Sequence, residues 1–284
     1  MSYIVTATTG HLGRLIVDAL LARGVAPDLI VATGRNPDKL NALTALGVKT
    51  AVLDYANPET VTAAVQPGDV LVLVSGSELG QRTLQHTQVI TAATAAGVAR
   101  IVYTSAPKAT TSDLVLAPEH KATEEFLIAS RVPFTILRNG WYTENYAGEI
   151  AKGRENGEIV ASVGDGRVAS ASRADYADAA AVALMDDSLA GQTLELSGDV
   201  AWNFDELAAT IATLVNEPVA FRNLTPEAHA NLLGSFGLDA ATVGFVVGLD
   251  TNIRNGLLGE TSGDLARLTG KPTTPVLEGL AATL

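Results

Sequence analysis

The 284-residue sequence predicts an α/β protein: a doubly wound parallel sheet with a smaller, mainly helical lobe following it. Three observations carry this. Apolar runs without polar alternation recur at 29–33, 48–53, 69–74, 100–104 and 133–138. Ala/Leu-rich segments with helical spacing separate them, at about 37–46, 58–65, 82–96 and 118–130. A strand apolar on both faces must be covered on both, which alternating strands and helices achieve with a parallel sheet.

The first element is Tyr3-Ile4-Val5, which runs through Thr6-Ala7-Thr8-Thr9-Gly10-His11-Leu12-Gly13 into an apolar periodic segment from Leu15 to Leu21. Strand, small-residue turn and helix start in this order form a dinucleotide-binding signature, because amides at a helix N-terminus attract a pyrophosphate. Gly10 permits close approach, and Gly13 lets the helix pack on the strand. Ala7 stands where such fingerprints usually have glycine; its methyl fits if φ there is negative. The second strand ends in Thr33-Gly34-Arg35, with no carboxylate before Asp38. A guanidinium here grips a 2′-phosphate, whereas NAD sites usually place an acid, so NADP is expected over NAD. Asp54-Tyr55, after the third strand, either covers an adenine or caps the next turn. Ser75-Gly76-Ser77-Glu78 follows the fourth strand, where ribose and nicotinamide would pass.

Beyond residue 140 helical patterns dominate, at 142–153, 173–186, 204–215, 226–235, 239–257 and 275–283, with short β candidates at 158–162, 192–197 and 218–222. The expected division is a dinucleotide-binding domain over 1–140, its sheet completed by short segments within about 158–197, and a lobe over 141–284 that covers the substrate. A net charge of −12 argues against a nucleic-acid partner, and the absence of cysteine excludes disulfides, thiolate catalysis and Cys-ligated metals. No metal site is expected. With no signal-like N-terminus or bilayer-length apolar run, no membrane association and a cytoplasmic address are expected. The sequence leaves a homodimer open.

Alcohol-oxidising dehydrogenases of this architecture place Tyr four residues before Lys, so that the amine lowers the phenol pKa. Here the residues four beyond the six tyrosines are Ala7, Glu59, Pro107, Tyr146, Ile150 and Ala180, and none is Lys. The corresponding region reads Pro118-Glu119-His120-Lys121, where one of His120 and Lys121 would face a cofactor, or neither. The last strand of the first half ends in Arg138-Asn139-Gly140-Trp141-Tyr142-Thr143-Glu144-Asn145-Tyr146. That concentrates aromatics in a chain with only 5% of them, and suits either a flat ligand slot or an anchor for the lobe. Arg173, at a helix start, reaches a cofactor or substrate, or pairs with Asp175.

These motifs resemble the NmrA-like atypical short-chain dehydrogenases, Rossmann proteins, and within them the flavin-independent bacterial quinone reductases. The resemblance covers nearly the whole chain. Its marks are residues 6–13, Arg35-Asn36-Pro37, Ser77 to Arg82, Glu119-His120 with Thr123-Glu124, Leu137 to Tyr146, Ser170 to Ala180 and Leu268 to Thr274. It implies that Ala7, Thr8, Gly10, His11 and Leu12 hold the pyrophosphate and Arg35 the 2′-phosphate of NADPH. It further implies that Gly76, Ser77 and Glu78, with Asn139, Gly140, Trp141, Tyr142 and Glu144, surround the ribose–nicotinamide end. Ala7 departs from the family's glycine, and Lys121 stands where relatives have an apolar residue.

The activity implied is direct hydride transfer from NADPH to a quinone or similar planar electrophile, without FMN or FAD. A quinone's reduced oxygen is only weakly basic, so positioning and hydrogen bonds would suffice; Asn139, Tyr142 and His120 are the candidate donors. The rivals are a non-catalytic NADP-sensing regulator and a reductase of another planar substrate, such as a dye, imine or enone.

Overall fold

The computed structural model describes residues 1–284. The chain begins with β1 (Tyr3–Val5), α1 (His11–Ala22), β2 (Ile30–Gly34), α2 (Pro37–Thr44), β3 (Lys49–Val52) and α3 (Pro58–Ala64). It continues with β4 (Val70–Leu73), α4 (Arg82–Ala95), β5 (Arg100–Ser105), α5 (Ala117–Ala129) and β6 (Phe134–Asn139). Then come β7 (Trp141–Tyr142), α6 (Ala147–Asn156), β8 (Glu158–Ala161), β9 (Ser170–Ala171), α7 (Arg173–Met185) and β10 (Thr193–Leu196). The last elements are α8 (Phe204–Val215), β11 (Ala220–Asn223), α9 (Pro226–Ser235), α10 (Ala240–Arg254), α11 (Asp264–Thr269) and α12 (Val276–Ala281).

Seven strands form one parallel sheet in the order β10-β6-β5-β4-β1-β2-β3. The chain winds outward from β1 through β2 to β3, then restarts at β4 on the other side. The β1/β4 boundary is therefore the topological switch point, where open α/β sheets bind ligands at the strand C-terminal ends. β4 is buried along its whole length, as its unalternating Val-Leu-Val-Leu requires. Ile4, Leu71, Leu73, Ile101, Tyr103 and Ile136 pack against Val61, Val89, Ile90 and Leu127 of the covering helices. α1 packs along α7, whose Ala177, Ala179, Ala180, Ala181 and Ala183 are buried. Short side chains let the two helix axes approach closely.

The chain divides into two compact units. The first comprises 1–110, 118–139 and 173–196; the second comprises 111–117, 140–172 and 197–284. α7 and β10 return to the main sheet, but β8, expected near its edge, pairs with β11 inside the second unit. The sequence pattern also passed over α11, six residues between two positive-φ glycines. No helix is long and apolar enough to cross a membrane.

In the second unit, Tyr146 packs edge-on against Trp202 and Phe204, with centroids 4.9 and 5.7 Å apart. Asp250 on α10 ties that unit together. It accepts hydrogen bonds from the Ser162 N–H (2.6 Å) and hydroxyl (2.9 Å), and lies 2.8 Å from His229 Nδ1.

Candidate cofactor and active site

Two turns of the first unit flank the switch point, one after β1 and one after β4. In the first, Thr8 N–H donates to Thr33 O (2.8 Å), joining the end of β1 to β2. Gly10 N–H donates to Ala7 O (2.9 Å), and Arg14 N–H to Gly10 O (3.2 Å). Between these, the N–H groups of His11, Leu12 and Gly13 have no intramolecular acceptor, and Gly10 caps α1 without a side chain. Nothing therefore competes for the positive end of the helix. A Cβ at position 13 would lie 2.4 Å from Ala7 O and 2.6 Å from Thr6 O, so glycine is required for α1 to meet this turn. Thr8, Leu12 and Gly13 are buried; Gly10 and His11 are exposed.

Ala7 is where the structure corrects the sequence reading. Its φ is +52°, in the left-handed region, and not the negative value that would make a methyl harmless. The fingerprint glycine answers a backbone requirement that this chain meets with alanine, at a strain of order 1 kcal/mol.

Arg35 is 65% exposed, and its Nη1 lies 2.8 Å from Glu78 Oε1. Glu78 also accepts from Gln85 Nε2 (2.8 Å), and the bonds from Gln85 and Arg35 hold its carboxyl below the usual range. Glu78, expected at the ribose–nicotinamide end, thus reaches the arginine expected at the 2′-phosphate. Asp54 takes the capping role, accepting from Ala56 N–H (3.0 Å). The Tyr55 hydroxyl is turned under the site to Val74 O (2.7 Å).

The second turn is held by side chains. Ser75 N–H donates to Thr104 Oγ1 (2.9 Å) and Gly76 N–H to His86 Nε2 (3.0 Å), while Arg82 Nε donates to Gly76 O (2.8 Å). Glu119 Oε1 accepts from Gly80 N–H (3.0 Å), and its Oε2 lies 3.2 Å from Arg82 Nη1. Sequence reading missed His86, Thr104 and Tyr103. The available signal was Arg82 and His86, four residues apart on one helix face directly after a Gly-Ser turn.

His120 lies buried on α5, with Nδ1 2.8 Å from the Tyr103 hydroxyl. That phenol is fully buried and shares one hydrogen bond with Nδ1, which leaves Nε2 as the ring nitrogen without a protein partner. Burial, then the charge of Arg82, lower the His120 pKa to about 3. Lys121 instead faces solvent, 4.0 Å from Glu125.

Asn139 is the buried last residue of β6, in register with Leu196. Its neighbour Arg138 holds Glu124 through both carboxylate oxygens (2.9 and 2.6 Å) and also reaches Glu195 (2.8 Å). Ser105 donates to the same Glu124 (2.5 Å). Gly140, Trp141, Tyr142 and Glu144 belong to the second unit, where Trp141 and Tyr142 form β7 opposite Ser170 and Ala171. Tyr146 is committed to packing against Trp202 and Phe204. Arg173 is half-buried at the start of α7, in the first unit.

A family model described as NAD(P)H-binding matches residues 8–187. The chain belongs to this NAD(P)H-binding family. Among curated relatives, Quinone oxidoreductase 2 of Escherichia coli (strain K12) is 40% identical to this NAD(P)H-binding protein over 277 residues, 98% of this chain and 96% of that one. The crystal structure of NADPH-dependent quinone oxidoreductase QOR2 from Escherichia coli, complexed with NADPH, superposes with a TM-score of 0.93 at 40% identity, covering 99% of both chains. Triphenylmethane reductase of Citrobacter sp., complexed with NADP(H), superposes with a TM-score of 0.92 at 32% identity, covering 100% of both. The NmrA-like resemblance and the doubly wound fold expected from the sequence agree with these matches.

Proposed function

We propose that this protein is an NADPH-dependent quinone reductase that works without flavin. The observation that carries this is the uncapped start of α1 at the switch point, with Arg35 at the end of the adjacent strand, in a chain 40% identical to a quinone oxidoreductase. The residues present fit the cofactor: open amides at His11, Leu12 and Gly13 suit a pyrophosphate, and the Arg35 guanidinium suits a 2′-phosphate. When bound, NADPH supplies the hydride.

The chain's own residues bind and orient. Ala7, Thr8 and Gly10 shape the phosphate cradle, Glu78 holds the arginine in place, and Gly76 with Ser77 borders the ribose. His120 is neutral near neutral pH and its Nε2 has no protein partner, so as the Nε2–H tautomer it donates a hydrogen bond to the acceptor oxygen that gains charge. Its low pKa means that it does not deliver the proton as an imidazolium. The hydroquinone monoanion is weakly basic and takes its proton from water, consistent with the missing Tyr–Lys pair. We assign Asn139 and Arg173 of the first unit to the nicotinamide end.

The test is NADPH oxidation with a small benzoquinone and no added flavin. Turnover on benzoquinone with higher kcat/KM than on triarylmethane dyes, imines or enones is expected. Tight NADPH binding with no turnover on any of these would sink the enzyme reading and favour an NADP-sensing regulator.

A further inference from the structure

Both polar groups of the Gly76 peptide are held by side chains four residues apart on α4. The N–H donates to His86 Nε2 (3.0 Å), and the carbonyl accepts from Arg82 Nε (2.8 Å). A ring nitrogen that accepts carries no proton, so neutral His86 is protonated on Nδ1. That N–H faces Thr123 Oγ1 (3.1 Å), whose own hydroxyl donates to Glu119 O (2.9 Å). Every donor in this chain has one acceptor, and the direction of each bond is fixed. The result is a continuous link from the turn after β4 to α5, the helix that carries His120. The link is closed a second time through Arg82, Glu119 and Gly80.

We propose that His86 is a positioning residue of the reductase: as the neutral Nδ1–H tautomer it holds the Gly76 amide and so fixes the turn that borders the cofactor relative to α5. This rests on the reading, proposed above, that Gly76 and Ser77 border the ribose. The imidazole is fully buried and Arg82 is charged beside it; desolvation first, then that charge, lower its pKa to about 3. It therefore stays an acceptor at every pH where the enzyme would work. Without this acceptor the Gly76 amide is released while Thr104, Arg82 and Glu119 still hold its neighbours, and cofactor binding would have to reselect the amide's orientation.

The test compares three variants. His86→Gln carries a side-chain oxygen at the reach of Nε2, His86→Asn matches only the shorter Nδ1, and His86→Leu fills the space without accepting. Fluorescence titration with NADPH alone should show a dissociation constant raised about tenfold in His86→Leu and His86→Asn, and by less than about threefold in His86→Gln. At saturating NADPH, kcat should stay within about twofold. Long-range nitrogen–proton spectra of the wild type should show a histidine protonated on Nδ1.

An Nε2-protonated ring overturns the proposal. So do unchanged NADPH affinities in His86→Leu and His86→Asn, or equal losses in His86→Asn and His86→Gln, which a purely packing role would give. If the wild type binds NADPH but reduces no quinone, the reductase reading fails, and the ranking of dissociation constants still decides for or against the clamp. If the wild type does not bind NADPH, both fall together, whatever the tautomer.

Discussion

The two turns at the switch point do neighbouring jobs by opposite means. After β1 the chain leaves backbone amides open and keeps side chains away; after β4 the turn's amides are pulled inward by Thr104, His86 and Glu119. The first turn is made by what is absent, and the second by side chains from α4, β5 and α5. On the proposed reading a ligand's phosphates need bare donors, so the first turn would have to stay unsatisfied, with the backbone strain at Ala7 tolerated there. The second serves by holding its shape. Binding sites of this kind pair a surface of unmet hydrogen bonds with a frame of fully met ones.

The largest effect should come from closing the first turn. Gly13→Ala puts a methyl 2.4 Å from Ala7 O, which α1 can relieve only by moving off the strand. Urea unfolding should show a loss of about 3 kcal/mol, with NADPH binding abolished. A loss under about 1 kcal/mol would mean that the turn is not rigid and would blur the contrast with its neighbour.

A pH titration reads the second turn. His86 and His120 have folded-state pKa values lowered to about 3, so unfolding below the ordinary value of 6.5 takes up protons that the folded rings refuse. Their contribution is present above about pH 6.5 and is lost as pH falls toward 3. Between about pH 7 and pH 5 the wild type should lose stability more steeply than His86→Leu, by about 2 kcal/mol, in parallel denaturant series. Equal slopes would show that His86 is not held neutral.

Arg35→Ala sharpens the comparison on the cofactor side. It should weaken NADPH by about 1.5 kcal/mol more than NADH, because only the former carries the 2′-phosphate. Equal losses in calorimetric titrations of the two nucleotides would reassign Arg35 to its partner Glu78 alone. The smallest effect is expected from Ala7→Gly. Relief of the left-handed conformation exceeds the added flexibility of the unfolded chain, for a net gain of about 0.5 kcal/mol. A lower melting temperature would indicate that the Ala7 methyl packs favourably enough to offset its φ.

The first turn was legible in the sequence because its mechanism is local. Thr6 to Gly13 are contiguous, and small residues between a β-branched strand and an apolar helix have few other uses. Arg35 was legible for the same reason, as the first charge after the second strand. The second turn was not. Ser75 and Gly76 could be named, but the groups that hold them come from Arg82, His86, Thr104 and Glu119, separated by stretches whose spacing carries no signal. Tyr146 takes the anchoring alternative: it sits in the conspicuous aromatic run, and its ring belongs to the core with Trp202 and Phe204.

The sequence by itself determined the parallel sheet, the order of its elements, the cofactor class and the absence of a Tyr–Lys relay. Each of these follows from periodicity, from contiguous motifs or from residue types that are simply missing. Only the tertiary structure decided that Ala7 is left-handed, that Glu78 meets Arg35, and that His120 and His86 are buried and neutral, His86 with its proton on Nδ1. Backbone dihedrals, ion-pair partners and protonation depend on burial and on neighbours distant in the chain, and a linear pattern records neither.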